Sequence, residues 1–154
     1  MNESLEQLMN HFARSGTVEW IGIRPGKKKE LVSMQSVTVD PSSGLTGDHY
    51  SGRSGKRQVT LIQAEHIPVI ASMMQLNQVT PEQLRRNIVV HGISLLALKD
   101  KYFSLGDAVL EYTGLCHPCS RMETTLGAGG YNAMRGHGGI TARVIHGGES
   151  ECRR

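Results

Sequence analysis

"YFSLGDAVLEYTGLCHPCSRM", residues 102–122, runs without a break from a strand pattern through a turn and a second strand into a pair of cysteines. Gly106-Asp107 supplies the backbone angles of a tight hairpin turn. Apolar residues alternate on both sides of it, at Phe103 and Leu105 and again at Ala108, Leu110 and Tyr112. The segment therefore predicts two antiparallel strands, the second delivering Cys116 and Cys119 to its far end. His117-Pro118 lies between the cysteines, and Arg121 follows two residues later.

Outward from this hairpin the chain repeats the same vocabulary. "TVEWIGIRP" (17–25) reads as a strand that stops at Pro25, and "KKKELVSMQSVTV" (27–39) as one further strand entered through a basic turn. "VTLI" (59–62), "IVV" (88–90), "SLLAL" (94–98) and "ITARVIHGG" (140–148) complete the β-like pieces, the last being the final strand expected. Helices are few and brief. Ser4 and Gln7 have the spacing of a capping box ahead of Leu5, Leu8, Met9 and Phe12, a stripe predicted to lie against the body and to end at Gly16. "QAEHIPVIASMMQL" (63–76) tolerates Pro68 in its first turn, and Thr80-Pro81 with Gln83 announces another helix start. "LGAGGYNAMRGHGG" (126–139) surrounds one turn of helix. Strands and helices do not alternate steadily, so a parallel α/β sheet is not expected. The fold class expected is mainly β (α+β): a closed or partly open β-barrel of mostly antiparallel short strands with a few peripheral helices. One domain over residues 1–154 is expected, with a core of about 20–148, a helix within 1–16 and a short tail at 149–154.

Composition narrows the partners. Hydrophobic residues make up 38% and charged residues 20%, which describes a globular chain rather than a disordered one. A net charge of +3 is too mild for a general nucleic-acid binder, and the basic stretches lack stacking aromatics, so nucleic acid is not an expected partner. "MNESLEQLMNHF" is not a signal peptide, and no apolar run has the length of a membrane span. Three cysteines, two of them close together, do not make a disulfide framework; a reducing, cytoplasmic setting is expected.

The cysteine pair admits several chemistries. A structural zinc site needs four ligands, and His117, His137, His146 and Cys152 form no second pair at short spacing. A thioredoxin-like site belongs in a βαβ unit, which the pattern does not show. Two small buried hydrophobes at a turn are the plainest alternative. Pro118 and Arg121 point instead to a functional thiol, since a neighbouring cation favours the thiolate, the form that binds soft metals or carries sulfur. Basic residues cluster at three predicted turns, Lys27 to Lys29, Arg53 with Lys56 and Arg57, and Arg85 with Arg86. If they meet, they form an anion pocket together with the glycine-rich "GLTGDHY" (44–50); otherwise they are solvated surface charge. "GHGG" (136–139) is either a plain turn or a place of close backbone approach.

In order and spacing, "GLTGDHY", "RQVTLI", "LRRNIVVHGISLLAL", "SLGDAVLEYTGLCHPCSRM" and "GHGGITARVIHGG" resemble the MOSC family, named for the C-terminal domain of molybdenum cofactor sulfurase. The resemblance spans roughly residues 20–148 and implies a β-barrel. It implies that Cys119, in the family's recurring Pro-Cys, is the catalytic group: a persulfide carrier, or the ligand of molybdenum held by a pterin dithiolene. By the same correspondence Lys27, Asp48, His49, Arg85 and Asn87, with Arg121 nearby, are implied to bind the cofactor's anionic tail. Cys116 is matched less regularly, as a resolving thiol or as filler. Three departures stand out. His49 replaces the family's arginine, Arg86 stands where proline is common, and the chain ends soon after Gly148. No pyridoxal-phosphate domain is expected in this chain. The function implied is a molybdenum-cofactor-binding or sulfur-carrier domain, as an oxidoreductase acting on N-hydroxylated compounds or as a sulfur transferase component, served by an electron-donor or sulfur-donor protein. The alternatives are a non-catalytic module for a phosphorylated small molecule and a structural zinc protein through Cys116 and Cys119.

Overall fold

The turn at Gly106-Asp107 forms as the sequence predicts. Strands β7 (Tyr102–Leu105) and β8 (Ala108–Leu115) pair antiparallel around it, with Leu105 opposite Ala108 and Tyr102 opposite Glu111. Gly106 has φ +58°, and a side chain there would collide with the backbone at Glu149 and Ser150, so the turn packs directly on another strand. The structure is a computed structural model and describes residues 4–26, 29–49 and 55–152.

From this hairpin a seven-stranded sheet extends in the order β2-β1-β6-β5-β9-β8-β7. Its other members are β1 (Thr17–Ile23), β2 (Val32–Met34), β5 (Val59–Gln63), β6 (Ile88–His91) and β9 (Ile140–His146). A second sheet, β10-β3-β4, consists of β3 (Ser36–Asp40), β4 (Gly44–Leu45) and β10 (Gly148–Glu151). Central strands β5 and β6 are covered on both faces, which is why they read as unbroken apolar runs. Leu61, Ile88 and Val90 face a core shared with Val37, Val39 and Leu45 of the small sheet. Ile62 and Val89 face the helices, against Ile70, Leu84, Met122 and Met134. Each such side chain, removed from water, contributes about 1.5–3 kcal/mol.

Several expectations are corrected. The chain is mainly β with a few helices, but among the described residues no closed barrel is found: the larger sheet is mixed, the smaller one is antiparallel, and β2 and β7 remain the edges of the larger one. Helices occupy one face of β5 and β6, so the architecture is layered. The pairings are mostly antiparallel, as expected, but among the described residues β5 and β6 pair parallel, Leu61 opposite Ile88. The crossover between them carries α2 (His66–Met74) and α3 (Pro81–Leu84), a βαβ unit that the pattern did not show. Residues 27–39 are not one strand. Gln35 divides them, β2 joining β1 and β3 joining β10, and Gln35 is held by hydrogen bonds with Cys152 in both directions. "SLLAL" is a 3₁₀ turn, Leu95–Leu98, burying Leu95 and Leu98 three residues apart. A helix over Ser120–Leu126 (α4) went unpredicted, whereas the expected turn of helix at Gly130–Met134 (α5) is present. Beyond Gly148 the expected tail is strand β10. The Ser4–Gln7 capping box forms, but helix α1 (Leu5–Leu8) is a single turn that does not lie against the body: Leu5 is 77% exposed.

Candidate functional site

The last residues of β8 carry a bulge between Tyr112 and Gly114 in its pairing with β9. Bulges re-aim the chain that follows. Here Thr113 turns its hydroxyl to Thr141 at 2.8 Å and to the Lys56 carbonyl. The Cys116 N–H then donates to the Gly139 carbonyl at 2.9 Å. This close approach is what the "GHGG" glycines are for. A side chain at Gly138 would strike the Cys116 carbonyl, and one at Gly139 (φ +86°) would strike the Leu61 carbonyl. Residues 116–119 continue with no turn or bend into α4, where Cys119 is the N-cap, its carbonyl accepting from Met122 at 3.0 Å. Cys116 is buried, 2% exposed; Cys119 is exposed, and its sulfur makes no capping bond.

Beneath this loop lies Arg86. It is 5% exposed and donates to three carbonyls from separate segments: Gly138 at 2.9 Å, Leu84 at 3.0 Å and Cys116 at 3.3 Å. Its partners are neutral, so the guanidinium is buried without a paired carboxylate. Desolvation lowers its pKa, the two cysteines oppose that shift, and Arg57 and Arg24 add to it. Arg57 also reaches the Cys116 sulfur, at 3.8 Å. Arg85, held in the left-handed region (φ 59°) at the end of α3, donates to the Lys29 carbonyl at 3.1 Å. Desolvation and then the charges of Arg121 and Arg24 lower its pKa, against the opposing pull of Cys119 and Asp48. Arg24, Arg57 and Arg121, with the two sulfurs, thus act on Arg85 and Arg86, and Asp48 is the one carboxylate among the largest influences on that pair.

That carboxylate is already committed. Asp48 has a fully buried side chain that accepts from the Arg24 N–H at 2.7 Å and pairs with the Arg24 guanidinium at 3.4 Å. Asn87, 1% exposed, donates to Asp48 at 3.3 Å and to the Gly22 carbonyl at 3.1 Å, and its oxygen accepts from the Thr60 N–H and hydroxyl at 3.1 Å each. Both residues therefore fix the ends of β1, β5 and β6 and set Arg24 in place.

Two alternative uses of the cysteines lose support. Cys116 and Cys119 are both free, the first buried and the second exposed, so no disulfide joins them in this structure. Among the described residues no three His, Cys, Asp or Glu side chains are grouped to hold a metal, which leaves zinc without a ligand set. The cleft of about 560 Å³ at Thr17, Asp107 and Glu149 lies at the opposite ends of β1 and β8 from the cysteines.

The sequence model of the MOSC domain matches residues 10–150. The chain belongs to the MOSC domain family. No curated protein is similar enough in sequence to count as a relative. Among solved structures, the YuaD protein from Bacillus subtilis superposes with a TM-score of 0.75 at 22% identity, over 92% of this chain and 94% of that one. YiiM from Escherichia coli gives 0.68 at 16%, over 88% and 65%, and YiiM from Geobacillus stearothermophilus gives 0.68 at 16%, over 89% and 71%. These likenesses establish a common MOSC fold.

Of the residues nominated by the MOSC resemblance, Cys119, Arg85 and Arg121 lie together, with Asp48 and Asn87 as the buried support behind them. His49 is exposed next to Asp48, its N–H donating to the Arg24 carbonyl at 2.6 Å. Lys27, Lys28 and Arg53 lie outside the described residues. The basic clusters do converge through Arg57, Arg85 and Arg86. Arg24 was missed; its signal was an arginine at the end of a strand immediately before Pro25. No helix among the described residues is long and apolar enough to cross a membrane.

Proposed function

We propose that this MOSC domain binds the molybdenum cofactor, with Cys119 as the sulfur ligand of the metal and Arg24, Arg85 and Arg121 holding the anionic pterin tail. The observation that carries the reading is an exposed cysteine set among five arginines, all but Arg57 buried or half-buried, facing one already committed carboxylate. Buried cations without counter-charges are costly, and a thiolate or a bound phosphate supplies the missing charge. The donor set fits the group: a soft sulfur for the metal, guanidinium forks for phosphate. When bound, such a centre supplies two-electron reduction of an N-hydroxylated compound, with electrons from a donor protein. This chain's residues orient the group, and Arg86 keeps the cysteine loop in register.

A second reading, Cys119 as persulfide carrier, is favoured by the same exposure, because a sulfur-donor protein can reach an open thiol. One experiment separates these readings from a plain anion-binding module. Protein from a molybdenum-competent host is assayed for metal, for pterin fluorescence and for a persulfide by intact mass. The expected result is molybdenum in wild type and in Cys116→Ser, and none in Cys119→Ser. Arg85→Gln and Arg121→Gln should retain about tenfold less, the loss expected for one charge-assisted bond. Wild type free of molybdenum but carrying one extra sulfur on Cys119 selects the carrier. Cys119→Ser binding phosphate esters as wild type does, with neither metal nor persulfide in either protein, selects the anion module.

A further inference from the structure

The loop that carries Cys119 has a second neighbour. A pocket of about 330 Å³ is lined by Leu96, Leu115, His117, Pro118, Tyr131 and Arg135, with Cys116 and the Gly136–Gly139 turn completing the wall. None of Arg24, Arg85 or Arg121 lines it, so this is not the arginine cradle. Leu96, Leu115 and Tyr131 are 51%, 46% and 43% exposed. Three large apolar side chains left half open in a single concavity make an apolar patch of the kind that marks binding sites. Helix α5 ends beside the pocket, presenting Tyr131 and Arg135 four residues apart, one turn along the same face. Arg135 is exposed, and its recorded side-chain bond is a long one of 3.5 Å to Asn132. Among the described residues no carboxylate lines the cavity.

We propose that this pocket is a ligand site beside the cysteine loop and that it takes a small aromatic carboxylate: a single flat ring against Tyr131, Leu115 and Leu96, with its anion on the Arg135 fork. The inference rests on the reading of Cys119 as the working group, since the pocket matters to the chemistry through the loop they share. The volume lies at the lower end of what small-molecule sites enclose, about 300–1,000 Å³, and admits one substituted ring. Apolar walls with one or two placed polar groups are the usual make-up of such sites. A guanidinium fork matches a carboxylate in two bonds at once, and a tyrosine ring adds an offset or edge contact to an aryl group. His117, exposed, is a second polar side chain in the lining. Arg86, by bonding to both the Gly138 and Cys116 carbonyls, holds this wall and the cysteine loop as one unit.

The test is titration of cofactor-free protein with benzoate, benzamide and benzylamine, by calorimetry and by amide chemical shifts. Benzoate should bind, with shifts confined to residues 115–118 and 131–139, and benzylamine should bind at least about tenfold more weakly. Arg135→Gln should weaken benzoate about tenfold and leave benzamide within about twofold, whereas Tyr131→Ser should weaken both. Arg85→Gln should leave benzoate unchanged. Benzylamine binding as well as benzoate overturns the proposal. So does benzoate lost in Arg85→Gln but kept in Arg135→Gln, which would send the anion to the cradle. The two readings fail separately. Benzoate bound by a protein that never acquires molybdenum or a persulfide removes the function of Cys119 and keeps the pocket. Metal retained by a protein that ignores benzoate does the reverse.

Discussion

Replacing Asn87 with alanine should unfold the support of the site from behind. The side chain is 1% exposed and joins three strands: it donates to the Gly22 carbonyl on β1, accepts twice from Thr60 on β5, and leads β6. Alanine leaves the Gly22 carbonyl and the Thr60 N–H buried without these partners, and each orphaned group costs about 1–3 kcal/mol. Asp48 keeps its 2.7 Å bond from the Arg24 N–H, and the Thr60 hydroxyl keeps its 2.9 Å bond from the Asn87 N–H, so these two are not orphaned. The sum is about 4 kcal/mol, the middle of the resulting range of about 2–6, and for a chain of this size it corresponds to a fall in Tm of about 8–16 °C. Urea unfolding reports it directly through Trp20, the single tryptophan, which sits opposite Val89 on the β1–β6 pair. Asn87→Asp is a sharper probe. It keeps the acceptor for Thr60 but sets a second carboxylate where an amide nitrogen now stands 3.3 Å from Asp48, so it should cost at least as much at neutral pH. If Asn87→Ala loses under about 1 kcal/mol while phosphate-ester or cofactor binding disappears, Asn87 is a ligand contact and the reasoning is wrong.

Other perturbations bear on the cysteine loop and its neighbours. Gly139→Ala, at φ +86° and against the Leu61 carbonyl, should destabilise by more than about 2 kcal/mol and speed alkylation of Cys116; unchanged melting and labelling would show that the loop yields freely. In Arg86→Met the three orphaned carbonyls should outweigh relief from a buried charge, for a net loss of about 2 kcal/mol and faster amide exchange at residues 116–119; stability equal to wild type would mean that the burial penalty cancels the bonds. Glu123 accepts from the Gly129 and Tyr131 N–H groups, first from Tyr131 in effect, and its pKa is lowered. Its contribution is therefore complete above the ordinary value of 4.5 and disappears as pH falls through the lower folded value. Amide exchange at Gly129 and Tyr131 should accelerate below pH 4.5 in wild type and be fast at all pH in Glu123→Ala; equal protection at both pH values would discount the carboxylate.

Local signals were legible where the physics is local. The capping boxes at Ser4–Gln7 and Thr80–Gln83 and the hairpin at Gly106-Asp107 form because each is closed by residues within four positions of one another. The order of motifs was enough to indicate the MOSC family and to place Cys119 among candidate cations. Partner choice was another matter. An apolar run such as "IVV" carries the same residues whether its neighbour is parallel or antiparallel, and "SLLAL" fits a strand or a 3₁₀ turn equally well. Only the crossover through α2 and α3 and the burial of Leu95 with Leu98 decided these.

The same division runs through the site. Asp48 and Asn87 were nominated by the MOSC resemblance as hands for a ligand, yet their bonds to Arg24, Gly22 and Thr60 show where their polar atoms are spent. Which arginines meet, and which thiol is sealed, depends on contacts between residues tens of positions apart, such as Arg57 with Cys116 and Arg86 with Gly138. Sequence alone determined the residue types that this chemistry uses and the short turns that present them. The tertiary structure decided which cysteine is open and which cations surround it, because burial and charge pairing are properties of packed surfaces that no single stretch of chain contains.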